Sequence, residues 1–172
     1  MQMSTEIIRP FADWIARTEL SGVLGKYDWI VPTSQSLHIV CVALLFIGTL
    51  IISLRLIGLR ESDHSLSVDV RRLTRLMYMA FGGLLFTGTL QIIAEPVRQF
   101  VAPIFWVKMS LVLLGLSMSR WFAMKVYREP NRWDMVVSRP TWSTAYAVIS
   151  LATWLIIIIC GRFIGYTWME YA

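Results

Sequence analysis

Four long apolar runs, separated by short charged segments, set the pattern of this chain. They cover roughly residues 34–59, 73–94, 101–123 and 146–166. Each matches the ~20 residues a helix needs to cross a hydrocarbon layer. Backbone polar groups in lipid must pair within their own segment, so each run is predicted to be a helix. Ahead of them, RPFADWIARTEL sets Phe11, Trp14 and Ile15 against Asp13, Arg17 and Glu19. Apolar residues spaced by three and four predict a short amphipathic helix over residues 10–20, lying in the interface, with Pro10 in its first turn. The stretch SGVLGKYDWIVPTS then reads as a turn-rich link, with Tyr27 and Trp29 as interfacial aromatics. The expected fold is all-α: an integral membrane four-helix bundle with an N-terminal interfacial helix, forming a single membrane domain over residues 1–172. Short links make consecutive spans antiparallel neighbours.

Composition supports lipid as the solvent. The chain is 56% hydrophobic and holds eight Trp among 172 residues. A water-soluble domain of that size has too little interior to hide so much apolar surface. A net charge of +5 would suggest nucleic acid in a soluble protein. Here the basic residues flank the apolar runs, so membrane topology accounts for them and no nucleic-acid partner is expected. Two cysteines, Cys41 and Cys160, exclude a disulfide framework or a multi-cysteine metal site and read as free buried thiols. Charges throughout the first thirty residues argue against a cleavable leader, and no lipidation motif is present.

The distribution of Lys and Arg predicts orientation. Arg55, Arg60, Arg71, Arg72 and Arg75 flank the first link between spans, and Arg120, Lys125, Arg128, Arg132 and Arg139 flank the third. Six basic residues fall on the other side: Arg9, Arg17, Lys26, Arg98, Lys108 and Arg162. The positive-inside rule places the two basic links in the cytoplasm and both termini outside.

One heptapeptide nearly repeats: LLFIGTL at 44–50 and LLFTGTL at 84–90. The two copies fall on antiparallel spans near mid-membrane, and no second matching stretch supports a duplication. Packing is the reading adopted. Gly48 and Gly88, with Ala80, Gly82 and Gly83, would let helices approach closely, while Thr49 and Thr89 bond back to their own helices.

Polar groups inside spans carry the functional expectation, because lipid makes them costly. Counting ~1.5 Å of rise per residue, Lys108 lies about 7 or 8 Å from the middle of its span. Gln91 and Arg162 lie roughly 10 Å out, and His38 and Glu95 about 13 to 17 Å out. All five fall toward the outer side, and every span contributes at least one. A bundle would gather His38, Gln91, Glu95, Lys108 and Arg162 around one outward-facing polar pocket that binds a ligand or cofactor. Haem b or a quinone at His38 is one candidate, although a second in-span histidine is missing. Met109 would be the partner ligand by depth, and Arg98, Lys108 and Arg162 would suit propionates. No catalytic or metal-ligand motif of known type occurs, so enzymatic activity is not expected.

QSLHIVCVALLFIGTLIISLRLIGLR, followed by PIFWVKMSLVLLGL, resembles a bacterial family of small four-span membrane proteins of unknown function. The resemblance lies in the His near the start of the first span, the LRLxGLR end of that span and the FWxKM start of the third. It implies a bacterial inner-membrane protein and places His38 and Lys108 at motif positions. A fainter similarity is to the membrane part of copper-resistance proteins, which share a helix-bundle layout. The function expected is a non-enzymatic membrane component whose outer pocket binds a small or lipidic ligand or a partner subunit. The alternatives are an electron-transfer protein holding quinone or haem b at His38, and a small oligomeric transporter. Its surroundings would be the lipid bilayer, with a second copy or a partner membrane subunit as neighbour.

Overall fold

The computed structural model describes residues 2–59, 64–134 and 142–167; Arg60 and Arg139 lie outside them. Among the described residues the chain is all helix: α1 (Gln2–Ala16), α2 (Glu19–Lys26), α3 (Ile30–Ile57), α4 (Leu66–Ala94), α5 (Pro96–Val101), α6 (Pro103–Arg128), α7 (Pro130–Asp134) and α8 (Trp142–Thr167). Four of these, α3, α4, α6 and α8, are long and apolar enough to cross a membrane, with mean hydropathy of 2.6, 1.6, 1.2 and 2.2 over their most apolar windows. At most 39% of any such window is buried inside the chain, so most of the apolar surface faces outward. Such a surface suits a lipid surround and not water.

The helix ends follow local chemistry. Gly58 stops α3 with a left-handed φ of 84°, and the amides of Gly58 and Leu59 bond back to Arg55 and Leu54. That pairing satisfies two carbonyls that a helix end otherwise leaves open. Pro96 ends α4 and opens α5, and Pro103 opens α6.

The amino-terminal region departs from expectation. Pro10 lies inside α1, which begins at Gln2, rather than in the first turn of a helix over 10–20. The supposed turn-rich link contains α2, which Thr18 starts by accepting a hydrogen bond from the Ser21 amide at 3.3 Å. A good N-cap outweighs the helix cost of Gly22 and Gly25, and Ser21 and Leu24 are buried. Helix α1 packs on α5, with Phe11 edge-on to Phe100 at 5.7 Å.

Helices α3 and α4 form the tightest pair. A Cβ added to Gly48 would stand 2.8 Å from Met77 Cγ, and one on Gly83 would stand 2.8 Å from Cys41 Sγ. These two glycines therefore set the close approach. The near-repeat does not act as one unit. Gly48 sits level with Met77, whereas Gly88 sits level with His38, so the copies are separated by ten positions of α3, ~15 Å of helix. Thr49 bonds back to Leu45 at 3.0 Å, but Thr89 is exposed, and Gly82 meets no neighbour. The expectation for Gly82 and Thr89 is thus corrected: both lie on the outward face of α4.

Helix α8 runs antiparallel to both α3 and α6 and joins them. Gly115 of α6 faces the Trp154 indole, and the Tyr146 hydroxyl donates to the Met118 carbonyl at 3.3 Å. Contact between α4 and α6 is slight beside these seams. The main core runs along the bundle through Leu45, Ile52, Val70, Met77, Phe122, Trp154 and Ile157.

Candidate functional site

The start of α3, the end of α4, α5, the start of α6 and the end of α8 meet at one end of the bundle. There they enclose a cleft of about 460 Å³. Its polar lining is Gln35, His38, Gln91, Arg98, Gln99, Lys108 and Arg162; its apolar lining comes mainly from Ile39, Val42, Ile157, Ile158 and Ile164. None of the described lining residues is acidic. Ile39 is 67% exposed and Ile158 39% exposed, so the cleft opens sideways between α3 and α8, on the apolar flank of the bundle.

Each polar side chain reaches the cleft for a local reason. His38 lies on the face of α3 that packs on α4, opposite Gly88, where a Cβ would stand 3.5 Å from the ring. Its Nδ1 is 3.0 Å from Thr87 Oγ1, and Thr87 Oγ1 in turn donates to the Gly83 carbonyl at 2.8 Å. A hydroxyl has one proton. Both contacts are satisfied together when Thr87 gives that proton to Gly83 and accepts from Nδ1–H of His38. The neutral ring then carries its lone pair on Nε2, which is buried and has no partner among the described residues. Ser34 fixes the same turn of α4 by donating to the Thr87 carbonyl at 3.2 Å.

Lys108 reaches the cleft from α6 across Gly161. A Cβ on that glycine would stand 3.5 Å from Nζ, so the missing side chain makes room for the ammonium. No ion pair among the described residues involves Lys108. Gln91 lies one helical turn beyond Thr87 on α4, and its Nε2 is buried without a partner among the described residues. Arg98 donates through Nη1 to Glu95 Oε2 at 2.7 Å, while its Nε is buried without a partner among the described residues. Arg162 lies exposed on α8 at the rim.

Of the five residues expected at the site, His38, Gln91, Lys108 and Arg162 line one cleft. Glu95 does not. It ends α4 and turns to Arg98, so it holds a lining residue in place from outside the lining. Met109, the companion expected for His38 in a haem site, packs instead against the cluster of Ala102, Phe105 and Ile164. The two thiols are free and face different neighbours, Cys41 against Gly83 and Cys160 beside Lys108. Thr87 was not among the sequence candidates. Its signal was available: Ala80, Leu84, Thr87 and Gln91 follow the spacing of one helical face, and the first three are buried.

Among the described residues the arrangement presents one lone-pair acceptor, two N–H donors without a partner, an ammonium without an ion pair and an apolar wall open to the side. It suits a ligand with a negatively charged head and an apolar body. The chain belongs to a family of unknown function, DUF6644, whose model matches residues 11–167. No curated protein and no solved structure matches it, and the fainter likeness to copper-resistance proteins is not supported.

Proposed function

We propose that this member of the family is a non-enzymatic multi-pass protein of the bacterial inner membrane whose cleft, facing outward, binds a small or lipidic anionic ligand. The carrying observation is the charge imbalance of the lining. Lys108 and Arg98 line a cleft with no acidic lining residue among the described residues, and Glu95 lies beside Arg98. A cation held in a partly desolvated place is costly, and an anion offsets that cost. The sideways mouth gives an amphiphile a place for its apolar part. Positive-inside counting supports the orientation with the cleft and both termini outside, and α1, with exposed Phe11 and Trp14, is suited to lie in the head-group layer there.

A second reading has one specific observation in its favour. Nδ1–H of His38 is held by Thr87, which leaves Nε2 as the coordinating or accepting atom, as in histidines that bind haem iron or a quinol. Under that reading the protein transfers electrons, and Arg98 and Lys108 offset the ligand's carboxylates or oxygens.

Native mass spectrometry from mild detergent tests both. The leading reading expects anionic lipid or a small anion retained on the chain and lost in Lys108→Gln. A retained haem or quinone mass, with visible colour that His38→Ala removes in the haem case, would replace it with electron transfer. A bare mass that no added anionic amphiphile shifts would remove the ligand-binding reading.

A further inference from the structure

We infer that the head group this cleft selects is both anionic and hydroxylated, of the phosphatidylglycerol kind, with a head-group hydroxyl donating to Nε2 of His38. This rests on the reading of the cleft as an anionic amphiphile site and narrows its ligand.

Three observations converge. The first is the acceptor. Thr87 fixes the His38 ring so that the buried Nε2 offers a lone pair, and no described residue donates to it. A buried acceptor without a donor is costly, so the matching ligand atom carries a proton. Carboxylates, sulfates and ionised phosphodiesters without a hydroxyl lack that proton. The second is the charge. Among the described residues Lys108 has no ion-pair partner and Arg98 Nε has no hydrogen-bond partner. These groups and the Gln91 amide call for several anionic oxygens, which a neutral quinol does not supply. A phosphodiester does, and a glycerol head places hydroxyls a few bonds from it. The third is the mouth. Exposed Ile39 and Ile158 flank it, so acyl chains can leave sideways into the bilayer while the head stays inside.

The test is lipid retention measured by native mass spectrometry on the full chain in neutral detergent. The lipid probes are phosphatidylglycerol, phosphatidylmethanol (equal charge, no head-group hydroxyl) and phosphatidylcholine; glycerol 1-phosphate serves as the water-soluble competitor. Wild type is expected to retain phosphatidylglycerol roughly five- to tenfold better than phosphatidylmethanol, the worth of one buried hydrogen bond. Both anionic lipids should exceed phosphatidylcholine. Thr87→Val removes the hydroxyl that fixes the tautomer, and His38→Leu removes the acceptor. Each should erase the glycerol preference while keeping anionic lipid above phosphatidylcholine. Lys108→Gln should weaken both anionic lipids alike. Melting in phosphatidylcholine micelles confirms that each variant compared is folded.

Equal retention of the two anionic lipids by wild type would overturn the inference and leave the anionic amphiphile site standing. So would a glycerol preference that survives both Thr87→Val and His38→Leu. Retention of phosphatidylcholine as strong as that of phosphatidylglycerol would sink the site itself and the inference with it. Effective competition by glycerol 1-phosphate would move the ligand from the bilayer to the soluble pool and overturn the lipid assignment.

Discussion

The two ends of the bundle treat their polar groups in opposite ways. At the end where α3 turns into α4, polar groups close on one another. Arg55, 6% exposed, donates to Asp69, to the Ser65 carbonyl and to the His64 carbonyl. Asp134 of α7 accepts from both the amide and the hydroxyl of Ser67, in the first turn of α4, at 2.9 and 3.0 Å. This carboxylate does for α4 what the side chain of its own N-cap, Ser65, does not. Aromatic rings seal the same end, with Trp133 buried edge-on to Phe122 and Trp142. At the other end His38, Gln91 and Arg98 each keep a buried polar atom without a partner among the described residues. A closed network stabilises the chain by itself, whereas an open one holds affinity in reserve for something else. The contrast teaches where to look for function: at the end that leaves its hydrogen bonds unmade.

Mutations can break this contrast, and the largest effects belong at the closed end. Trp133→Ala empties a buried ring site and should cost about 3–5 kcal/mol of stability, read as a lower melting temperature in detergent. Arg55→Met strands Asp69 and two carbonyls, and should cost about 3 kcal/mol by the same measurement. Asp134→Ala removes the cross-chain cap and should cost about 1–2 kcal/mol. The cleft end should answer differently. Lys108→Met should leave stability unchanged or raise it by about 1 kcal/mol, because it removes a cation with no ion-pair partner among the described residues from a poorly solvated place. Its cost should show only as lost retention of anionic lipid. Smallest of all, Glu95→Gln loosens a partly exposed pair with Arg98 and should change stability by less than about 1 kcal/mol. A Lys108→Met variant that melts as early as Arg55→Met would erase the distinction between the ends.

Much of this fold was legible from hydropathy. Four spans with antiparallel neighbours follow from four apolar runs, since lipid forces each to satisfy its own backbone. Helix α2 was hidden because its glycines advertise a turn, and only a capped, partly buried segment overrides them. The cleft was legible by depth, as His38, Gln91, Lys108 and Arg162 are costly residues placed toward the same side. Glu95 stands apart from the lining because depth along a span says nothing about direction around it; at the α4 terminus the side chain turns to Arg98. The role of Thr87 could not be read from depth at all. A threonine costs little in a span, and its meaning appears only when a hydroxyl, a ring nitrogen and a carbonyl are seen in one line. The same holds for Gly82 and Gly83, adjacent in sequence, of which only Gly83 meets the neighbouring helix.

The slight contact between α4 and α6 has a consequence for biosynthesis. As the chain emerges, α3 and α4 can pair at once through Gly48 and Gly83, but α6 has no strong neighbour to join. It gains one only when α8 packs against α3 and α6 together. Gly161, Arg162 and the isoleucines of the mouth arrive with that helix. A nascent chain three spans long therefore has no complete cleft, and the cleft is complete only once α8 has been made.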